Sequence, residues 1–198
     1  MVIFLIDKQV NSVLKSAFFQ LRILKKVKPF LSFVDFEKVI HAFITTRLDY
    51  CNALYFGVSQ SCLHRLQLIQ NAAARLLTGT RRFDHISPVL ASLHWLPVHF
   101  RIHFKILLFV FKSFHGLAPP FISDLLKLYI PKRSLRSAGK LLLVVPRSKL
   151  VHRGDRAFSV AAPKLWNKLP FHIKSAPSLP VFKSRLKTLF YSQAFNTE

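Results

Sequence analysis

Acidic residues are scarce in this chain. Eight Asp and Glu stand among 198 residues, at Asp7, Asp35, Glu37, Asp49, Asp84, Asp124, Asp155 and Glu198. A nucleotidyl-transfer site holds its two metal ions on clustered carboxylates, yet no Asp-Asp, Asp-x-Asp or Glu-x-x-His occurs. Asp35 and Glu37 are the one close pair, and two residues apart on a helix they point to different sides. Glycine is also sparse, and there is no Gly-rich phosphate loop and no G-x-S-x-G. Two cysteines, Cys51 and Cys62, are too few for a disulfide framework. They read as buried reduced thiols of an intracellular protein, nuclear or cytoplasmic. The longest internal apolar run, Ile106 to Phe111, lies between Lys105 and Lys112. It falls far short of the roughly 20 residues a membrane span needs. Met1 to Ile6 is too short, and lacks the basic flank, for a secretory signal. These absences speak for binding and against chemistry: no enzyme, no cofactor, no metal and no membrane partner is expected.

What is present is positive charge on a chain that can fold. Thirty Lys and Arg give a formal charge of +22, while 51% of the residues are hydrophobic and twenty are Phe. A basic tail would be polar and disordered; this composition buries a core and points to a polyanionic partner.

Periodicity predicts helices. Leu14, Phe18, Leu21 and Leu24 recur at helical spacing from about Asp7 to Lys26, and Pro29 ends that segment. Ser32 and Asp35 read as a capping box opening a second helix to about Leu54, with an Asp35–Lys38 pair near its start. A third, about Ser61 to Leu77, carries Leu66, Ile69, Ala73 and Leu76 and stops at Gly79. Ser87-Pro88 opens a short helix through Leu93. A Trp95-Leu96-Pro97 corner precedes a longer helix, about His99 to Phe114, and another short one runs from Phe121 to Leu128. From Pro131 to Lys140 the chain is basic and weakly periodic, a linker or surface loop. Leu141 to Val145 reads as a strand that Arg156 to Val160 pairs with. Ser178 caps a last helix carrying Phe182, Leu186, Leu189 and Phe190. The expected fold is mainly α, a packed helical bundle with a small late β-hairpin. Residues 1–130 form a helical domain, and 131–198 a basic loop and hairpin region with a C-terminal amphipathic helix.

Two helices carry basic stripes. Lys15, Arg22 and Lys26 share a narrow arc of the first, and Arg101, Lys105 and Lys112 do so on the longer one. The latter edge would extend roughly 16 Å, enough to meet several phosphates. A denser patch runs from Lys132 to Arg156, with Lys132, Arg133, Arg136, Lys140, Arg147, Lys149, Arg153 and Arg156 against Asp155 alone. Lacking interleaved aromatics, it suits a sequence-independent grip on a nucleic-acid backbone rather than base readout. Trp95 and Trp166 sit at apolar corners and read as core. His99 and His103 share one face at i,i+4, as do Glu37 and His41, but neither pair has the third ligand a zinc site needs.

Five stretches are familiar in combination: Thr46-Arg47-Leu48-Asp49-Tyr50-Cys51-Asn52-Ala53-Leu54; Leu66-Gln67-Leu68-Ile69-Gln70-Asn71-Ala72-Ala73-Ala74-Arg75; Leu93-His94-Trp95-Leu96-Pro97-Val98 with Arg101; Gly154-Asp155-Arg156-Ala157-Phe158; and Ala162-Pro163-Lys164-Leu165-Trp166-Asn167-Lys168-Leu169-Pro170. In this order they resemble the C-terminal part of the reverse transcriptase of LINE-type (non-LTR) retrotransposons. The family's full-length protein carries an endonuclease, a polymerase with fingers and palm, a helical thumb and a basic C-terminal region. Here the palm's Tyr-x-Asp-Asp is absent, as are the endonuclease and the Cys-Cys-His-Cys knuckle of some relatives. The resemblance therefore implies a thumb and post-thumb fragment with no catalytic residue, in which the stripes and the patch grip template RNA or an RNA–DNA hybrid. The partners expected are RNA, RNA–DNA hybrid or DNA backbone, together with a polymerase palm in trans or a second copy. The competing expectations are an orphan protein-interaction scaffold and a non-functional relic of a retroelement.

Overall fold

The computed structural model describes residues 2–131, 133, 139–148 and 154–195. Helix is the dominant state among them, as the periodicity predicts. The chain divides into two compact units, Met1–Ile102 with Tyr191–Glu198, and His103–Phe190. That division does not follow the change of composition at Pro131.

The first unit opens with α1 (Val2–Val27), a 3-10 turn at Lys28–Phe30 holding Pro29, and α2 (Phe33–Ile40). Ser32 caps α2, its Oγ accepting from Asp35 N–H at 3.1 Å, and Lys38 Nζ lies 3.0 Å from Asp35. The helix expected to continue to Leu54 is interrupted. A π turn at His41–Thr45 leads to α3 (Thr46–Asp49), then Cys51 turns left-handed at φ 50° before a 3-10 turn, Asn52–Tyr55. Next comes α4 (Gln60–Thr78), capped by Ser59 and closed by Gly79 at φ 77°, a conformation favoured in a residue without Cβ. Helix α5 (Ser87–Ser92) follows, with Ile86 rather than Ser87 in the cap position.

Helix α1 buries Val10, Ala17, Leu21 and Leu24, and α4 buries Leu66, Ile69, Ala73, Ala74 and Leu77. Phe18, expected on the buried face, lies on its rim. At about 100° per residue it sits about 90° from the centre of the buried set. The two helices run parallel: Cys62 Sγ donates to Asp7 Oδ1, Arg65 bonds Asn11, and Lys28 Nζ donates to Leu76 O at 2.6 Å and Leu77 O at 3.2 Å. That lysine satisfies carbonyls left open at the end of α4 and meets the negative pole of its dipole.

Helix α6 (Val98–Phe114) starts in the first unit and belongs to the second from His103 onward. In the second unit its Ile106, Leu107, Val110 and Phe111 are buried, beside Trp166 of α8 (Phe158–Asn167) and Phe182, Leu186 and Phe190 of α10 (Leu179–Phe195). Phe111 and Phe182 stack at 4.2 Å between centroids, and Trp166 lies 6.0 Å from Phe182. Two short helices, α7 (Pro120–Ser123) and α9 (Phe171–Lys174), complete the described elements.

The late hairpin expected between Leu141–Val145 and Arg156–Val160 is replaced by a different arrangement. Phe158 begins α8, and Leu143 instead forms an isolated antiparallel bridge with Leu128. The cause lies in α8. Asn167 brackets Leu143, accepting from its N–H at 2.8 Å and donating to its O at 2.9 Å, while the Trp166 indole donates to Leu141 O at 2.7 Å. Side chains take the backbone groups that a partner strand would have paired.

Candidate nucleic-acid interface

In the first unit, three of the five familiar stretches converge on the Trp95-Leu96-Pro97 corner, and what they build is polar scaffolding. Gln70 Nε2 donates to Leu96 O and Gln67 Oε1 accepts from Val98 N–H, each at 2.9 Å. The second bond satisfies a donor left open at the start of α6. Arg101 makes a two-pronged pair with Asp49, whose Oδ1 also accepts from Asn52 at 3.2 Å. Trp95 is buried, with the His41 ring 5.3 Å away.

Arg101, read from sequence as part of an outward basic edge, is thus committed to a carboxylate 52 positions earlier. Lys105 and Lys112 are half-buried and belong to the second unit. The stripe on α1 has a different fate. Lys15, Arg22 and Lys26 are all exposed, and among the described residues no carboxylate pairs with them. Six of the eight acids are occupied elsewhere: Asp7 by Cys62, Asp35 by Lys38, Glu37 by His41, Asp49 by Arg101, Asp84 by Arg81 N–H and Asp155 by Lys164.

Between Lys15 and Arg22 the surface dips into an open groove of about 540 Å³, lined by Asn11, Leu14, Lys15, Phe18, Phe19, Arg22 and Arg65. Lys15 and Arg22 stand two turns apart, about 10 Å along the axis. Phe18 and Phe19, 39% and 59% exposed, occupy the interval, and Arg65 arrives from α4. Cations flanking open aromatic faces can meet phosphate and base together. Sequence reasoning missed Arg65, because only the parallel packing of α4 on α1 brings it there. It also missed Phe18 and Phe19 as surface groups, because a Phe on an amphipathic helix reads as core.

Of the second patch, Lys132, Arg136, Lys149 and Arg153 lie outside the described residues. Arg133, Lys140 and Arg147 are exposed and Arg156 is half-buried. Asp155 pairs with Lys164 at 3.0 Å. Lys174 is buried, capping α8 through Asn167 O at 3.3 Å. Burial, and then the charge of Lys140, push its ammonium below the ordinary lysine range.

Both tryptophans are core, as expected. Cys62 is buried, and burial pushes its thiol up, but Cys51 is exposed, against the expectation of two buried thiols. Its left-handed turn carries the side chain outward. Among the described residues no three of His, Cys, Asp and Glu gather into a metal site, and no helix is long and apolar enough to cross a membrane. His41 lies 3.6 Å from Glu37, both side chains partly exposed, and shares a hydrogen bond with Thr45. Comparison with protein-family models, with curated proteins and with solved structures finds no match to this chain.

Proposed function

We propose that this chain is a non-catalytic, sequence-independent nucleic-acid-binding protein, of the kind its resemblance to the C-terminal region of LINE-type reverse transcriptases implies. The single observation that carries the reading is the α1 groove, with Lys15, Arg22 and Arg65 around two open phenylalanine rings. Support also comes from the balance of charge: thirty Lys and Arg stand against eight acids, and Asp35, Asp49 and Asp155 are paired within the chain. The role of each part follows from its chemistry. The cations neutralise phosphates and release counterions, so affinity falls steeply as salt rises. No residue is assigned to bond making.

The test is a salt titration of binding to labelled single-stranded RNA, RNA–DNA hybrid and duplex DNA. Affinity that collapses with added salt and ignores sequence supports the reading, and no binding at low salt by a folded sample contradicts it. Reversal of Lys132, Arg133 and Arg136 to Glu asks whether the second patch shares the load.

A second reading, a protein-interaction scaffold, draws on one observation. Phe30, Phe33 and Val34, where α1 gives way to α2, are exposed, Phe30 to 84%. It predicts oligomers that grow with concentration and persist at high salt, since apolar contacts are not screened.

A further inference from the structure

We propose that the loop between α4 and α5 is a second contact in the first unit, where Phe83 stacks on an unpaired base and Arg81 and Arg82 hold the flanking phosphates. The proposal rests on the nucleic-acid reading above and narrows its ligand to a single strand.

Phe83 is 92% exposed. A lone exposed apolar side chain is ordinary; what distinguishes this one is the fixed backbone beneath it. Arg75, in the last turn of α4, donates from Nε to Arg81 O at 3.2 Å and from Nη2 to Asp84 O at 2.9 Å. Asp84 Oδ2 accepts from Arg81 N–H at 3.0 Å, closing the loop from within. At its root the Thr78 and Thr80 hydroxyls meet at 2.6 Å beside left-handed Gly79. One arginine thus ties down both ends of a four-residue tip. The ring is presented on an ordered support, so binding does not pay again to order the chain.

The chemistry around the ring names the ligand. Arg81, Arg82 and His85 are exposed beside it, while the Asp84 carboxylate is turned back onto the loop. An open aromatic face beside two guanidinium groups on one short loop matches a base and its neighbouring phosphates. Bases inside a duplex are stacked on each other and cannot present a face to such a tip, whereas those of a single strand can. Placement agrees. Because α1 and α4 run parallel, with Lys28 on Leu76 and Leu77, the loop leaves α4 at the end of the pair that carries Lys25 and Lys26. A strand lying along Lys15, Arg22 and Lys26 is led toward Phe83.

The experiment uses the full chain with Phe83→Ala and Phe83→Trp, and two probes: a single-stranded oligo-U RNA carrying one 2-aminopurine, and a blunt RNA–DNA hybrid. Phe83→Ala is expected to weaken single-strand binding by about 5- to 100-fold. It leaves hybrid affinity and the salt slope unchanged. Phe83→Trp restores the affinity, and 2-aminopurine fluorescence is quenched on binding by the wild type but not by Phe83→Ala. Unchanged single-strand affinity in Phe83→Ala overturns the proposal while the broader reading stands, and so does an equal loss on the hybrid. Displacement of the RNA by polyglutamate at equal charge would make the occupant an acidic polypeptide and overturn it too. Failure of the wild type to bind any nucleic acid at low salt removes both. Because the side chain is exposed, thermal melting should be the same in all three proteins.

Discussion

Helices α1 and α6 each carry three cations at helical spacing, and they use them in opposite ways. On α1, Lys15, Arg22 and Lys26 face water, and the nearest additions to the set are another cation, Arg65, and two open rings. On α6, Arg101 is drawn back to Asp49 and its side chain keeps 19% of its exposure, while Lys105 and Lys112 are half-buried. The difference is made by what packs alongside. Beside α1 lies α4, which brings Cys62 to Asp7 and Arg65 to Asn11 but no carboxylate. Beside the start of α6 lies the end of α3, which supplies a carboxylate. A cation near a fixed carboxylate becomes scaffolding, because a two-pronged guanidinium pair is stronger and more directional than any contact with solvent. A cation with none remains available to a ligand.

Breaking the support beneath the α1 groove should have the largest effect. Leu66 is fully buried on α4, the helix that packs against α1. Leu66→Ala should cost about 2–5 kcal/mol in urea unfolding, and at temperatures where the variant is partly unfolded, nucleic-acid binding falls with it. A variant as stable as wild type would mean that α1 does not depend on α4.

Removing the α6 cation should matter less, and only to the fold. Arg101→Met leaves Asp49 without its guanidinium, and with both side chains partly exposed the cost is about 1 kcal/mol. Affinity for RNA stays as in wild type. Weaker binding without loss of stability would return Arg101 to the interface.

The smallest effect is a rate. Cys51 is exposed and should react with a thiol reagent at once, whereas Cys62, buried between α4 and Asp7 with its thiol pKa raised by burial, should lag far behind. Two equally fast thiols would show that α1 lifts off α4 readily.

The local part of this fold was legible in sequence because local rules decide it. Ser32 and Asp35 make their cap within four residues, Gly79 ends α4 by its own backbone freedom, and the spacing of Phe182, Leu186 and Phe190 gives the buried face of α10. Contacts between distant residues were not legible. Nothing near Arg101 announces Asp49, and nothing near Lys15 announces Arg65. The misplaced hairpin has the same origin. Leu141 to Val145 forms no strand beyond the single bridge at Leu143; Leu141 is left-handed at φ 50°, and the segment's partners are Asn167 and Trp166 side chains and the Lys127–Tyr129 backbone, which no strand pattern encodes. The π turn at His41–Thr45 likewise leaves no periodic trace, since one widened turn only rotates the faces that follow.

The most direct test of the central claim, that α1 and not α6 meets the polyanion, is the slope of log affinity against log salt for single-stranded RNA. It would be measured for the wild type, Lys15→Glu/Arg22→Glu and Arg101→Met. Each cation that no longer neutralises a phosphate lowers the slope by about one. The double reversal should therefore flatten it by about two and weaken binding at least about tenfold, with stability within about 0.5 kcal/mol of wild type. Arg101→Met should keep the wild-type slope. A double reversal that leaves the slope unchanged, or an Arg101→Met that flattens it, would contradict the account.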